Sequence, residues 1–176
     1  MKYYKKLDTP GFEKLSEEAL AFVLERPRIY HRQAGINLIS ADFNEAVREM
    51  PSLSIFDVYG IKATDILFFV MYNNHQCGIH SDGWQNNARI NVPVLNCKGT
   101  VLEFWRDVKW QAFKNARGSY VNIARAGTGE FVDSVEIDSP TVVSVNEPHR
   151  VVMLPKSPVP RITLSIDFDV CPSFLL

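Results

Sequence analysis

From about residue 53 onward, apolar and polar positions follow one another in short runs rich in β-branched and aromatic residues. Such runs cover 66–72, 88–94, 101–105, Tyr120–Ala124, 141–145, 150–154 and Arg161–Phe168. Turn-forming residues separate them: Asn73-Asn74, Ser81-Asp82-Gly83, Lys98-Gly99, Gly127-Thr128-Gly129 and the proline-rich stretch 155–160. This spacing predicts eight or more strands in a sandwich or barrel, with no helices alternating between them. Two helices are predicted earlier in the chain. Ser16 can cap one, with Glu17 and Glu18 in its first turn and Leu20, Phe22, Val23 and Leu24 along it, and Pro27 stops it. Asp42 can cap the other, with Glu45 three residues on and Phe43, Ala46, Val47 and Met50 at i, i+3, i+4 and i+7, until Pro51 ends it. The expected architecture is mainly β: a small jelly roll with helices packed on one outer face. The 176 residues suit one domain, with 1–52 as a helical supporting region and 53–170 as the β core.

Composition narrows the classes further. Nineteen Lys and Arg against 20 Asp and Glu leave a net charge of −1, without the basic bias of a dedicated nucleic-acid binder. No apolar stretch follows the N-terminal lysines as in a secretory signal, and the run at 66–72 is far too short to span a membrane. Three cysteines, Cys77, Cys97 and Cys171, show no CxxC spacing and read as free thiols in a reducing cytoplasm. A cytoplasmic protein acting on a small molecule or a protein side chain is expected.

The segment CGIHSDGW carries the first chemistry. His80 and Asp82 are two residues apart, so on extended backbone both side chains leave one face and can converge on one point. On its own an HxD is common, and a turn aspartate beside a half-buried histidine is the plain reading. His149, 67 residues beyond Asp82, heads another strand-like run and offers a third ligand. Two imidazoles and a carboxylate make the facial triad of non-haem Fe(II), with open positions for a chelating co-substrate and O2.

The last strand shifts the balance. Arg161, Thr163, Ser165 and Asp167 share one face, and Ile162, Leu164, Ile166 and Phe168 the other. Such alternation describes a sheet with one wet and one buried face. It equally describes a strand whose polar face lines a cavity, where Arg161 can grip a carboxylate bidentately and the Thr163 hydroxyl can assist.

The order HxD, distant His, then Arg-x-Thr on the final strand resembles the 2-oxoglutarate/Fe(II)-dependent oxygenase superfamily. The likeness runs over about 66–168, and the segments RINVPVLNC and PHRVVMLP resemble its compact microbial and phage-type members. The resemblance implies that His80, Asp82 and His149 hold Fe(II), and that Arg161, helped by Thr163, binds the distal carboxylate of 2-oxoglutarate. A Tyr or Asn on a neighbouring strand would also touch the co-substrate, with Tyr72 and Asn91 as candidates. It further implies a cupin-like, double-stranded β-helix fold and an enzyme that uses O2 to hydroxylate its substrate, releasing succinate and CO2.

Other residues carry weaker signals. His75 falls on the opposite strand face from His80, and His31 has no metal-like neighbours. Trp84 could cover the pocket or plug a sheet edge. Trp105, Arg106 and Trp110 suit a recognition surface or an ordinary strand end. Arg89, two residues before Asn91 on the same face, is a candidate for an acidic substrate group. Two further classes share the strand pattern: a non-catalytic jelly-roll binding or structural module, and a cupin-type non-oxidative metalloenzyme. The first leaves the HxD, the later His and Arg-x-Thr unexplained, and the second more often shows HxH with a following Glu.

Overall fold

The computed structural model describes residues 3–25, 31–33, 36–40, 42–72, 78–82, 88–114 and 120–176. Before the main strands come β1 (Tyr4–Lys6), α1 (Phe12–Leu24), β2 (His31–Gln33), β3 (Ile36–Ser40) and α2 (Phe43–Glu49). A 3-10 helix (Pro51–Tyr59) leads into β4 (Ala63–Met71), β5 (His80–Ser81), β6 (Ala88–Leu95), β7 (Thr100–Arg106) and β8 (Trp110–Lys114). Then follow β9 (Tyr120–Ala124), β10 (Glu130–Glu136), β11 (Thr141–Ser144), β12 (His149–Met153) and β13 (Arg161–Phe168), with a short 3-10 turn (Pro172–Leu175).

These strands form two antiparallel sheets. One runs β1-β11-β6-β13-β4-β3-β2 and the other β10-β7-β12-β5-β9-β8. Neighbours distant in sequence, such as β13 between β4 and β6, mark the jelly-roll crossing expected of a double-stranded β-helix.

The main core lies outside the sandwich, between the seven-stranded sheet and the helices. Leu15, Ala19, Phe22 and Val23 of α1 pack with Ile66, Phe68 and Val70 of β4, with Ala88, Ile90 and Val92 of β6, and with the even residues Ile162 to Phe168 of β13. Phe22 stacks on Phe68 at 5.8 Å between ring centroids. Because side chains alternate along a strand, Arg161, Thr163 and Ser165 must then face the other sheet. All three are nonetheless buried. The polar face of β13 is therefore interior, and the wet-face reading of its alternation is excluded. A smaller cluster, with Leu102, Phe104, Val135, Ile137, Val143 and Val145, fills one part of the space between the sheets.

Several local expectations change. Ser16 does not cap α1, which begins a turn earlier after Gly11 in the left-handed region (φ 86°). The Ser16 hydroxyl instead donates to the carbonyls of Phe12 (3.1 Å) and Pro93 (2.6 Å), tying the helix to β6. Asp42 does cap α2, accepting from the Glu45 N–H at 2.9 Å. Ala46 and Met50 are buried as the stripe requires, while Val47 points out. Residues 53–59, read as the start of the β region, belong to the 3-10 helix, where Leu53 and Phe56 bury at a spacing of three. The 1–52 region supplies strands as well as helices, since β1, β2 and β3 join the seven-stranded sheet. Among the described residues, no helix is long and apolar enough to cross a membrane.

Candidate metal centre

Strand β5 has two residues, and pairing holds it on both sides. His80 stands directly opposite His149 of β12 and opposite Ile123 of β9. The two imidazoles are 4.5 Å apart between ring centroids. Ser81 points the other way and donates to the Asn146 carbonyl at 2.9 Å. The Asp82 N–H donates to the Val145 carbonyl at 3.0 Å, fixing the carboxylate just past the strand. His80 Nε2 and Asp82 Oδ1 are 3.6 Å apart. That is within the span of two ligands on one ion, each bond being about 2.1 Å. Taken together, the donor atoms of His80, Asp82 and His149 lie within 4.8 Å of one another.

The hydrogen bonds decide which imidazole nitrogens are available. His80 Nδ1 lies 2.9 Å from the Gly78 carbonyl and His149 Nδ1 lies 2.8 Å from the Glu147 carbonyl. A carbonyl only accepts, so each Nδ1 carries the proton and each Nε2 keeps its lone pair for the cluster. This is the outer support that metal-binding histidines ordinarily have. Burial, and after it the neighbouring His80, lowers the His149 pKa from 6.5 to about 4. His149 is therefore neutral and competent as a ligand near pH 7. A donor set of two neutral imidazoles and one carboxylate fits a first-row divalent ion such as Fe(II).

The cluster opens into a cavity of about 610 Å³, its solvent-filled mouth included. Phe69 and Met71 of β4, Leu102 of β7, Val143 and Val145, and Val151 of β12 make its apolar wall. Asn91 of β6 and Arg161, Thr163 and Ser165 of β13 add the polar groups. Arg161 is 4 % exposed, so its guanidinium is a buried cation. Its Nη1 lies 3.8 Å from Met71 Sδ. A guanidinium in a wall so shielded from water binds a carboxylate strongly through charge-assisted hydrogen bonds. Asn91 Oδ1 is buried in the same wall with no hydrogen-bond partner among the described residues.

The structure thus gathers His80, Asp82, His149, Arg161, Thr163 and Asn91 around one cavity. It leaves Tyr72 outside the lining, just past the end of β4 and 47 % exposed. Ser165, Phe69 and Met71 were not singled out from the sequence, although alternation along their strands could have found them. Arg89 donates through Nη2 to Asp167 Oδ2 at 2.9 Å. Arg106 pairs with Glu130, and Arg150 lies over the Trp105 ring at 4.8 Å, while Trp110 is partly exposed. Cys97 is a buried free thiol, and Cys171 is half-buried. His31 falls on β2. His75, Cys77 and Trp84 lie outside the described residues.

Fold and site together define a cupin-like jelly roll with a His-Asp-His group able to hold a metal ion. Neither a family model nor a curated protein matches the chain. Among solved structures it is similar to a Pseudomonas putida prolyl-4-hydroxylase, at 14 % identity and a TM-score of 0.50, over 94 % of this chain and 91 % of that one. It is also similar to E. coli ycfD, at 12 % identity and a TM-score of 0.44 over 77 % of this chain, and spans 33 % of that chain. A Cellulomonas parahominis L-ribose isomerase matches at 12 % identity and a TM-score of 0.40, over 88 % of this chain and 81 % of that one. At these identities, the prolyl-4-hydroxylase match establishes a shared fold.

Proposed function

We propose that the protein is an Fe(II)- and 2-oxoglutarate-dependent oxygenase that hydroxylates its substrate. One observation carries this reading: three metal donors and a buried arginine, from opposite sheets, line the same cavity. When bound, iron and 2-oxoglutarate supply the oxidation, in which O2 is consumed, 2-oxoglutarate becomes succinate and CO2, and a substrate C–H becomes C–OH.

The chain's own residues do the rest. His80, Asp82 and His149 hold the ion through one face, and the two main-chain carbonyls keep the imidazole lone pairs aimed at it. Arg161 binds the distal carboxylate of 2-oxoglutarate, and Thr163 adds a hydroxyl beside it. Asn91 presents its amide one pair of strand positions beyond Thr163, opposite Ser165. Phe69, Met71, Leu102 and Val151 exclude water, which strengthens every charged contact inside.

The deciding experiment is an anaerobic titration. With Fe(II) and 2-oxoglutarate the wild type is expected to develop a weak visible charge-transfer band, and His80→Ala is not. Stoichiometric binding that is no tighter in the wild type than in His80→Ala would sink the reading.

A further inference from the structure

Beyond Asn91 and Ser165, the inner face of the seven-stranded sheet carries a row of charges. Ser165 stands opposite Asn91. Two residues further along their strands, Arg89 stands opposite Val143, and Asp167 opposite Asp65. Ala88 and Ile90 face the helix-side core, so Arg89 must face inward. Its Nη2 donates to Asp167 Oδ2 at 2.9 Å, and the two side chains are 18 % and 15 % exposed. Asp65, exposed next to them, accepts from the Ile66 N–H.

Two neighbours locate this row relative to the metal ligands. Val143 is part of the cavity wall. Val145, two residues or about 7 Å further along, accepts the Asp82 N–H. Asp167 and Arg161 are six residues apart on β13, or about 20 Å. The charged row therefore lies at the end of the sheet face away from Arg161, beside Val143 of the cavity wall. Arg161 stands at one end of this sheet face and a second, separate cation, Arg89, at the other.

We propose that Arg89, Asp167 and Asp65 seat the zwitterionic head of the primary substrate, a free α-amino acid. Its carboxylate lies on Arg89 and its ammonium on the two aspartates. This rests on the oxygenase reading and names its substrate class. Among the described residues Arg89 makes that one hydrogen bond, out of the about five N–H groups a guanidinium offers. Arg89 beside Asp167 and Asp65 puts charges of both signs on one sheet face. A ligand carrying both an ammonium and a carboxylate complements the whole row. The pair is mostly shielded from water, where charge-assisted contacts discriminate most.

The test uses protein loaded with Mn(II) and 2-oxoglutarate, titrated calorimetrically with the free L-amino acids, their carboxamides and their N-acetyl derivatives. At least one amino acid is expected to bind, with its amide and its N-acetyl form each about tenfold weaker or more. In Arg89→Met the preference for acid over amide disappears. In Asp167→Asn the preference for free amine over N-acetyl disappears. Both variants keep Mn(II) and 2-oxoglutarate affinity within about twofold. If Arg89→Met does not fold, Arg89→Gln replaces it with the same expected outcome, since it removes the charge and keeps a polar side chain of similar reach.

A pair that only braces the sheet would lower stability in both variants and leave the ligand preferences intact, which overturns the proposal. So does the absence of any amino-acid binding to protein that does bind Mn(II) and 2-oxoglutarate. Failure of the wild type to bind those two overturns the oxygenase reading itself, and the substrate assignment with it.

Discussion

Each of the two imidazoles gives its Nδ1 proton to the carbonyl two residues before it, Gly78 for His80 and Glu147 for His149. This small device, repeated on two strands, turns a pair of histidines into directed donors. Arg161 faces them across the cavity as a buried cation. Arg161→Ala is expected to weaken 2-oxoglutarate binding about tenfold to a hundredfold while leaving metal affinity nearly unchanged, measured by separate Mn(II) and co-substrate titrations. Equal loss of both in a folded variant would contradict the assignment. Thr163→Val, which removes one hydroxyl without changing shape, is expected to cost about fivefold in the same co-substrate titration. At this scale the sequence was readable where spacing alone suffices, as in His80 and Asp82 on one strand face. It could not choose between Tyr72 and Asn91, because both are polar groups near strands flanking β13. Register separates them: Asn91 lies opposite Ser165 inside the wall, and Tyr72 follows the strand end.

Among the elements, β13 was the most legible, since its strict alternation survives intact and both faces are buried. What the pattern could not say was which face met the helices. The edge strands β1 and β2, reading YKK and HRQ, were invisible because an edge carries charge and little apolar alternation. The 3-10 helix was missed because its buried Leu53 and Phe56 look like any short apolar run. Helix α1 is held by the core it shares with the sheet. Phe22→Ala is therefore expected to cost about 3–5 kcal/mol of unfolding free energy in urea titration. Asp42→Ala, which removes one cap from the short α2, is expected to cost about 1 kcal/mol. If the two variants were equally destabilised, the helix–sheet contact would not be the main core.

At the scale of the molecule, the metal donors come from the six-stranded sheet and Arg161 from the seven-stranded one. A co-substrate touching both would bridge the sheets, and a ligand that binds only the native state raises its melting temperature. Mn(II) alone is expected to raise Tm, and 2-oxoglutarate to raise it further in wild type. In Arg161→Ala the second increment should vanish and the first remain, as read by differential scanning calorimetry. The jelly roll itself was legible from strand number and turn spacing. The pairing of β5 with β12 was not, since a two-residue strand has no periodicity to read.

The seven-stranded sheet divides labour between its two sides, with Ala88, Ile90, Val92 and the even residues of β13 built into the helix-side core and Asn91, Arg161, Thr163 and Ser165 lining the reactive chamber. A lineage diversifying its substrates can therefore redraft positions such as 89, 91, 165 and 167 while the scaffold holding them stays untouched. A library confined to those positions should yield mostly folded proteins with altered appetites. One confined to 90, 162, 164 and 166 should yield mostly unfolded chains.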